Sequence, residues 1–483
     1  MSVRSQLPAY SCVVESAPPS VHGSLLLGCT RALQQDQLGT YARAMAAHGD
    51  IARFRVGPPR LGFTFDAIFD PEGAHKVLAA DAGHYVKDAP VIGEFRHFLG
   101  NGILVSEGER WRRHRRVAQP LFTRRAVSGH MDTVAAAAAE LVSWCEEDSQ
   151  ADGSVDLHDL SMRYALHALG HTVFGDDIVR AAPVLRGALP PLGEHLKRRS
   201  LSPLRSPHWW PSPANRRAEA TRKVVWDLAD ALIADRRARG TEGTDLLSRL
   251  LAARDPETGD GLTDDDVRDE AIIFLIAGHE TTGSALAFTL HLLGRHQEAQ
   301  ERVREEVLGA VGVGSSRYDI DQLRYTAQVV DEAMRLYPPA HTVVRRAAED
   351  TELLGYPVAK GHIVAVNIWG IQHRPSVWPD PFQFSPGRFE QSRTPGERSR
   401  RGSGYTHLPF GGGPRACIGE HLAMAELVAG VAAVIGRYRL RSVDETPNTE
   451  VDLALRPKGA VRCHMEPVGA QGTGELQKPA PVS

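Results

Sequence analysis

Cysteine is scarce and scattered in this sequence. There are five in 483 residues: Cys12, Cys29, Cys145, Cys417 and Cys463. None forms a Cys-x-x-Cys pair, which argues against a zinc ribbon or a thioredoxin-like centre. The odd count and wide spacing fit a reducing cytoplasm rather than a disulfide framework. An excess of one charge is also missing. The 56 basic and 59 acidic residues leave a net charge of −3, unlike a dedicated nucleic-acid binder. No apolar run approaches the roughly 20 residues of a membrane span. The patch Leu25 to Leu27 is too brief for a signal-peptide core. The expectation is a soluble, cytoplasmic protein with no membrane anchor. Lysine is rare, seven of the 56 basic residues; so strong an arginine bias points to a GC-rich, bacterial genome and says nothing about chemistry.

What is present is ordinary globular material, 42% apolar and 24% charged, which excludes a disordered or collagen-like chain. Length alone allows about three domains, but no repeat and no linker divides the middle. Residues 1 to 20 read as a loose lead-in and 468 to 483 as a flexible tail, leaving one domain over 21 to 467. Ser200 to Asn215, with four prolines, and Gln391 to Tyr405 read as loops. Helical signals dominate. Asp132 is placed to cap a run from Thr133 to Glu147. A second helix is expected from Ala218 to Arg239, before Gly240. The longest starts after Thr263, carries three aspartates in its first turn, which suit the helix dipole, and runs past Leu293. Strands are few: Ile51 to Val56 and Leu61 to Phe65 as a hairpin, and Ile363 to Ile368 after a Lys360-Gly361 turn. The fold class is therefore mostly α with a small β region.

Three stretches carry chemistry. Phe410-Gly-Gly-Gly-Pro-Arg-Ala-Cys417-Ile-Gly419 is a glycine loop that ends in a cysteine before an apolar helix, Leu422 to Ile435. Free N–H groups at a helix start lower a thiol pKa, so Cys417 is a metal ligand, a nucleophile or a buried structural cysteine. In the long helix, apolar Ala271 to Ala277 gives way to Gly278-His279-Glu280-Thr281-Thr282. A carboxylate and hydroxyls in such a place need partners if buried, and Gly278 allows a local opening. Glu332 and Arg335 stand at i,i+3 on a helix that ends at Pro338-Pro339. On spacing alone they are a surface ion pair.

Together these segments resemble the cytochrome P-450 family of heme-thiolate monooxygenases. Phe410 to Gly419 matches F-x-x-G-x-R-x-C-x-G at every fixed position. Ala277 to Thr282 matches A-G-x-[DE]-T-T, and Glu332 to Arg335 matches E-x-x-R. Phe384 to Phe389 resembles F-x-P-x-R-F, and Trp111 to Arg115 a W-x-x-x-R segment. The five occur in the family's order.

The resemblance implies a single-domain P-450 fold with the long helix over a heme b (iron protoporphyrin IX). It makes Cys417 the axial ligand of the heme iron, with Phe410 packed near the thiolate and Ala277 and Gly419 beside the heme. Trp111, Arg115, Arg345 and Arg415 would hold the propionates; Arg345 is preferred over Arg346 because it stands five residues before Asp350. Glu280 and Thr281 would guide protons to dioxygen, and His279 receives no role. Glu332, Arg335 and Arg388 would form a buried brace. The activity implied is hydroxylation of an apolar small molecule, such as a terpenoid, polyketide or lipid-like secondary metabolite. The segments before the matching region and after Cys417 are too short for a fused reductase, so a separate ferredoxin or flavodoxin and an NAD(P)H-dependent reductase are expected to supply electrons. The cluster Arg110, Arg112, Arg113, Arg115 and Arg116 is either a basic docking face for such a donor or a solvated helix face. The pocket would draw on Val91 to Leu104, Pro183 to Asn215, Ile273 to Thr281 and Ala340 to Val343, with His341 and Trp209-Trp210 as further contacts. Alternatives are a fatty-acid hydroxylase, a heme-thiolate isomerase or dehydratase that needs no electron donor, and a heme sensor, for which no output element is found.

Overall fold

The computed structural model describes residues 17–149, 153–200, 202, 206–240, 242–310, 320–390, 404–452 and 454–468. The helices that matter for the site are α1 (Pro90–Leu99), α2 (Gly108–Ala118), α3 (Met131–Ser149), α4 (Leu157–Phe174), α5 (Ile178–Ser200), α6 (Pro213–Arg239), α7 (Asp264–Arg295), α8 (Arg324–Leu336) and α9 (Glu420–Arg437). The chain is mostly helical with small sheets.

α7 organises the rest. The Thr263 side chain accepts from the Asp266 N–H, and the Asp266 side chain accepts from the Thr263 N–H, a reciprocal capping box that satisfies two otherwise orphan donors. Asp264, Asp265 and Asp266 fill the first turn. Nearly every residue beyond is buried, so tertiary packing rather than helix propensity holds this element. Part of α7 has a mean hydropathy of 1.3 over 18 residues, enough by length and composition to cross a bilayer, and 78% of that window is buried inside the protein. The expectation that no run is apolar enough therefore needs this correction: a core helix meets the same criterion. α4 lies against α7, and the Tyr164 hydroxyl donates to the Glu426 carbonyl at 2.7 Å, joining α4 to α9.

The largest sheet has five strands: β1 (Ile51–Val56), β2 (Phe63–Ile68), β3 (Tyr85–Val86), β4 (Val343–Ala347) and β5 (Ile363–Val366). Their order is β1-β2-β5-β4-β3. β2 and β5 are parallel, pairing Phe65 with Ile363 through Ile68 with Val366. Strands from opposite ends of the sequence are thus stitched together. A short antiparallel pair, β6 (Thr449–Val451) and β7 (Leu455–Pro457), lies near α7.

Several boundaries move. α3 starts at Met131, so Asp132 sits inside its first turn rather than capping it. α6 starts at Pro213 with Ser212 as its cap, its side chain accepting from the Asn215 N–H; proline suits a first helical position because its missing N–H would be unpaired there anyway. The second strand is Phe63–Ile68, because Arg60, at φ 69, turns the hairpin. Ile368 begins a short helix capped by Asn367 instead of ending a strand. Ser20 pairs with Arg53, so the lead-in is ordered by its last residues. Residues 391–403 and 469–483, read as loop and tail, lie outside the described residues.

Candidate functional site

The glycine loop closes on itself. The Cys417 N–H donates to the Phe410 carbonyl at 2.9 Å and the Ala416 N–H to Gly413 at 3.1 Å. Gly413 is required twice over: its φ is +69°, and an added Cβ would lie 1.7 Å from the Leu78 carbonyl oxygen. Such an approach admits no side chain. Gly419 caps α9, and a Cβ there would be 4.0 Å from the Cys417 sulfur. The Cys417 side chain keeps accessible surface, yet burial pushes its thiol pKa up, against the lowering effect of the Gly419 N–H. The thiol is therefore crowded by surrounding protein while the residue keeps accessible surface. The helix-start effect alone does not lower its pKa, because desolvation is larger.

Beside the loop lies a group of cations. Burial holds Lys87 well below its ordinary value, and Arg345 and Arg415 add repulsion. Burial likewise takes Arg345 down to about 10, with Arg415 repelling it. Arg415 is also lowered to about 10, again chiefly by desolvation. The carboxylate acting on all three is Glu107, which accepts from Arg415 Nη2 at 2.6 Å and from the Lys87 backbone N–H at 2.6 Å. Arg115 donates to the Ala416 carbonyl at 3.0 Å, and the Arg415 guanidinium lies 3.9 Å from the Trp111 ring centroid. Three desolvated cations around one carboxylate, with half-buried Arg115 beside them, suit a ligand that brings further negative charge. Together with the Cys417 thiol, this donor set fits a heme: a sulfur ligand for iron and cations for two propionates. Of Arg345 and Arg346, Arg345 is the buried one. Lys87 was not singled out from sequence; a lone lysine in Tyr85-Val-Lys87-Asp carries no motif.

On α7, Ala277, Glu280 and Thr281 are half-buried, while His279 and Thr282 are buried. The Thr281 hydroxyl donates to the Ala277 carbonyl at 2.6 Å. The helix runs unbroken through Gly278. That glycine serves packing rather than opening, since an added Cβ would meet Leu169 at 2.6 Å. Burial lifts the Glu280 carboxyl to about 7; Arg456 opposes the shift, and Asp452 and Glu450 add to it. Arg456 stands 3.9 Å from Glu280 and is itself engaged by Glu450 at 2.7 Å and by Asp452, its Nε at 2.9 Å. Burial takes His279 down to about 4, a neutral ring turned towards α4.

Glu332 and Arg335 are both fully buried, with Arg335 Nε to Glu332 Oε2 at 2.6 Å. The surface-pair reading from spacing is thereby corrected. Glu332 also accepts from the Ser385 N–H at 2.9 Å, and Arg388 Nε stands 3.5 Å from it. Arg335 further donates to the carbonyls of Gln372, Pro381 and Gln383 at 2.9, 2.7 and 3.1 Å.

The arginines of α2 are mostly spoken for. Arg110 pairs with Asp266 at 2.5 Å, Arg116 with Asp255 at 2.8 Å, and Arg113 donates to the Gly261 carbonyl. Arg112 is largely exposed and lies 3.1 Å from Glu109, which neutralises much of a basic docking face. His114, unnoticed in the sequence, is buried against Glu270 and Asp266. Burial would lower its pKa, but those two partners raise it to about 9, tying α2 to α7. Trp209 and Trp210 are 77% and 53% exposed; they stand on the surface rather than in a pocket. His341 is buried, 3.4 Å from Gln37.

A family model for cytochrome P450 matches residues 18–464. The chain is 35% identical over 432 residues to the cyclooctat-9-en-7-ol 5-monooxygenase of Streptomyces melanosporofaciens, covering 89% of this chain and 90% of that protein. It is 33% identical to cyclooctatin synthase of the same organism, covering 86% and 89%. It is 31% identical to leukotriene-B4 omega-hydroxylase 3 of Mus musculus, covering 82% and 79%.

Proposed function

The chain belongs to the cytochrome P450 family and is an oxidoreductase of the monooxygenase type, and from that premise we propose that it hydroxylates an apolar, terpenoid-like small molecule. The observation that carries the substrate class is the 35% identity, over 90% of its length, to a monooxygenase named for cyclooctat-9-en-7-ol. The cofactor is a heme, taken here as heme b; when bound and reduced it supplies the redox chemistry that puts one atom of dioxygen into the substrate and releases the other as water.

The protein's own residues then have distinct tasks. Cys417 Sγ would ligate the heme iron, and a thiolate donor there would supply electron density for oxygen activation. Lys87, Arg115, Arg345 and Arg415 would hold the propionates, with Arg415 stacked on Trp111. Glu280 carries a proton near neutral pH, as a general acid in use at that pH should. Its carboxyl passes that proton toward Thr281 Oγ1, one residue on. The Thr281 hydroxyl must leave the Ala277 carbonyl to donate inward, and its oxygen lone pairs accept in either state. Electrons come from a separate ferredoxin or flavodoxin with an NAD(P)H-dependent reductase, in the cytoplasm.

The test is a spectral titration of the ferric protein with polycyclic alkenols and, in parallel, long-chain fatty acids. Alkenols are expected to displace water from iron and shift the Soret band. A response to fatty acids alone would move the assignment to fatty-acid hydroxylase, the reading favoured by the leukotriene hydroxylase match. Product formed without reductant would mean an isomerase or dehydratase. In every case, Cys417→Ala should lose the red-shifted Soret band that carbon monoxide gives with thiolate-ligated reduced heme.

A further inference from the structure

Away from the cysteine loop, α1, the segment before α6, and α6 itself bring two imidazoles and a carboxylate together. His97 is on α1, His208 precedes α6 and Glu219 is in its second turn. One ligating atom from each lies within 4.8 Å of the others. His97 Nε2 and Glu219 Oε1 are in direct contact. The His97 and His208 rings stack with centroids 3.7 Å apart and planes 11° from parallel. All three side chains are about one-third exposed, at 30%, 27% and 32% for His97, His208 and Glu219, so an ion in solution can reach them.

The surroundings orient these groups. Glu94, 4% exposed, stands 3.3 Å from His208 Nε2. Glu94 is itself fixed by Arg199, whose Nε and Nη2 donate to its two oxygens at 2.6 and 3.1 Å. A carboxylate on one ring nitrogen fixes the tautomer and leaves the other nitrogen's lone pair for a metal, the usual outer arrangement of a histidine ligand. Arg222 Nε takes Glu219 Oε2 at 2.9 Å, which leaves Oε1 facing the histidines.

We propose that His97, His208 and Glu219 form a binding site for a divalent transition metal of the zinc class, which joins α1 to the start of α6 through the segment that carries His208. Two imidazole nitrogens and one carboxylate oxygen are a recurrent zinc donor set, and three protein ligands leave a fourth position for water. Nitrogen-rich donors select zinc, nickel or copper over magnesium and calcium, which prefer oxygen. Stacked rings present side-by-side lone pairs, so one imidazole must turn about its Cβ–Cγ bond to close on the ion. Binding requires both histidines to be neutral and so weakens as the pH falls. No electron transfer is involved, and the site stands independently of the monooxygenase reading.

The experiment uses the full-length, heme-loaded protein, washed with chelator and dialysed to equilibrium against micromolar free zinc. Zinc per chain is then read by elemental analysis. A second chelate on the surface must be separated from this one: His167 and His171, 3.2 Å apart on α4. His171→Ala removes that pair. In the His171→Ala background about one zinc per chain is expected. His97→Ala should lower the affinity at least about 10-fold, and Glu94→Gln by roughly 10- to 100-fold, as loss of an outer partner does. Glu219→Gln, nearly isosteric, provides the same reading should His97→Ala disturb folding. Heme content and circular dichroism must match the parent. Zinc uptake unchanged by His97→Ala and Glu219→Gln would overturn the proposal, as would uptake that vanishes with His171→Ala.

Discussion

Glu332 and Glu280 are both glutamates in helices and both come from short motifs, but their surroundings differ. Glu332 is fully buried and held by Arg335 at 2.6 Å, with the Ser385 N–H on its other oxygen. Among the described residues the cation nearest Glu280 is Arg456 at 3.9 Å, and that cation is engaged by two other acids. Burial therefore dominates at Glu280 and lifts its carboxyl to about 7. A close guanidinium locks a carboxylate into a structural ion pair. A distant, shared one leaves a carboxyl able to gain and lose a proton near neutral pH. The same residue type is a brace in one place and a candidate proton carrier in the other, and the distance to the nearest arginine separates the two roles.

The comparison breaks most visibly at the brace. Glu332→Ala leaves Arg335 buried without its partner, which typically costs about 3–5 kcal/mol. Expression should yield little heme-loaded protein, measured as carbon monoxide-binding heme per mole of chain. Full heme content at wild-type stability would show that the carbonyls of Gln372, Pro381 and Gln383 suffice to hold Arg335.

Thr281→Ala tests the other side. The hydroxyl makes a bond within its own helix, to Ala277 at 2.6 Å, so a structural role predicts a loss of about 1 kcal/mol with unchanged product per NAD(P)H consumed. A role in proton delivery predicts normal heme and substrate binding, continued NAD(P)H consumption, and peroxide in place of much of the product. Measuring product and peroxide together decides between them.

How much of this was legible in the sequence depends on the kind of signal. The cysteine loop was readable because loop geometry restricts the residue types allowed; Gly413 is an example, with no room for a Cβ. The burial of Glu332 was not readable from i,i+3 spacing, which is the same for a surface pair; the motif resemblance carried it. Lys87, His114 and Glu270 were missed since each acquires its environment only when distant segments meet. His114 and Glu270, one on α2 and the other on α7, touch across 156 positions. The helix ends shifted for a local reason: Ser212 and Pro213 form a start signal inside a stretch whose prolines read as loop. The zinc-class cluster follows the same rule, with three ligands on three segments and no motif.

The comparison is sharpened most by shifts along the pH axis, read first at Glu280 and then through its surroundings. A carboxyl raised in the folded state from its ordinary 4.5 to about 7 adds stability that is fully present below about pH 4.5 and is lost as the pH rises through 7. The difference is up to about 3 kcal/mol, and Glu280→Gln should remove this dependence from the melting temperature. Arg456 lowers the Glu280 pKa, while Asp452 and Glu450 raise it. Arg456→Met should therefore move the pH midpoint of product formation up, since Glu280 is left facing two acids. Asp452→Asn should move it down, because it removes one acid and frees Arg456 to act on Glu280. Opposite shifts from two variants outside the motif, each a fraction of a pH unit to about one unit, would identify Glu280 as the group that sets the profile. Shifts in the same direction, or none, would mean that another group delivers the proton and that the raised carboxyl is only a consequence of burial.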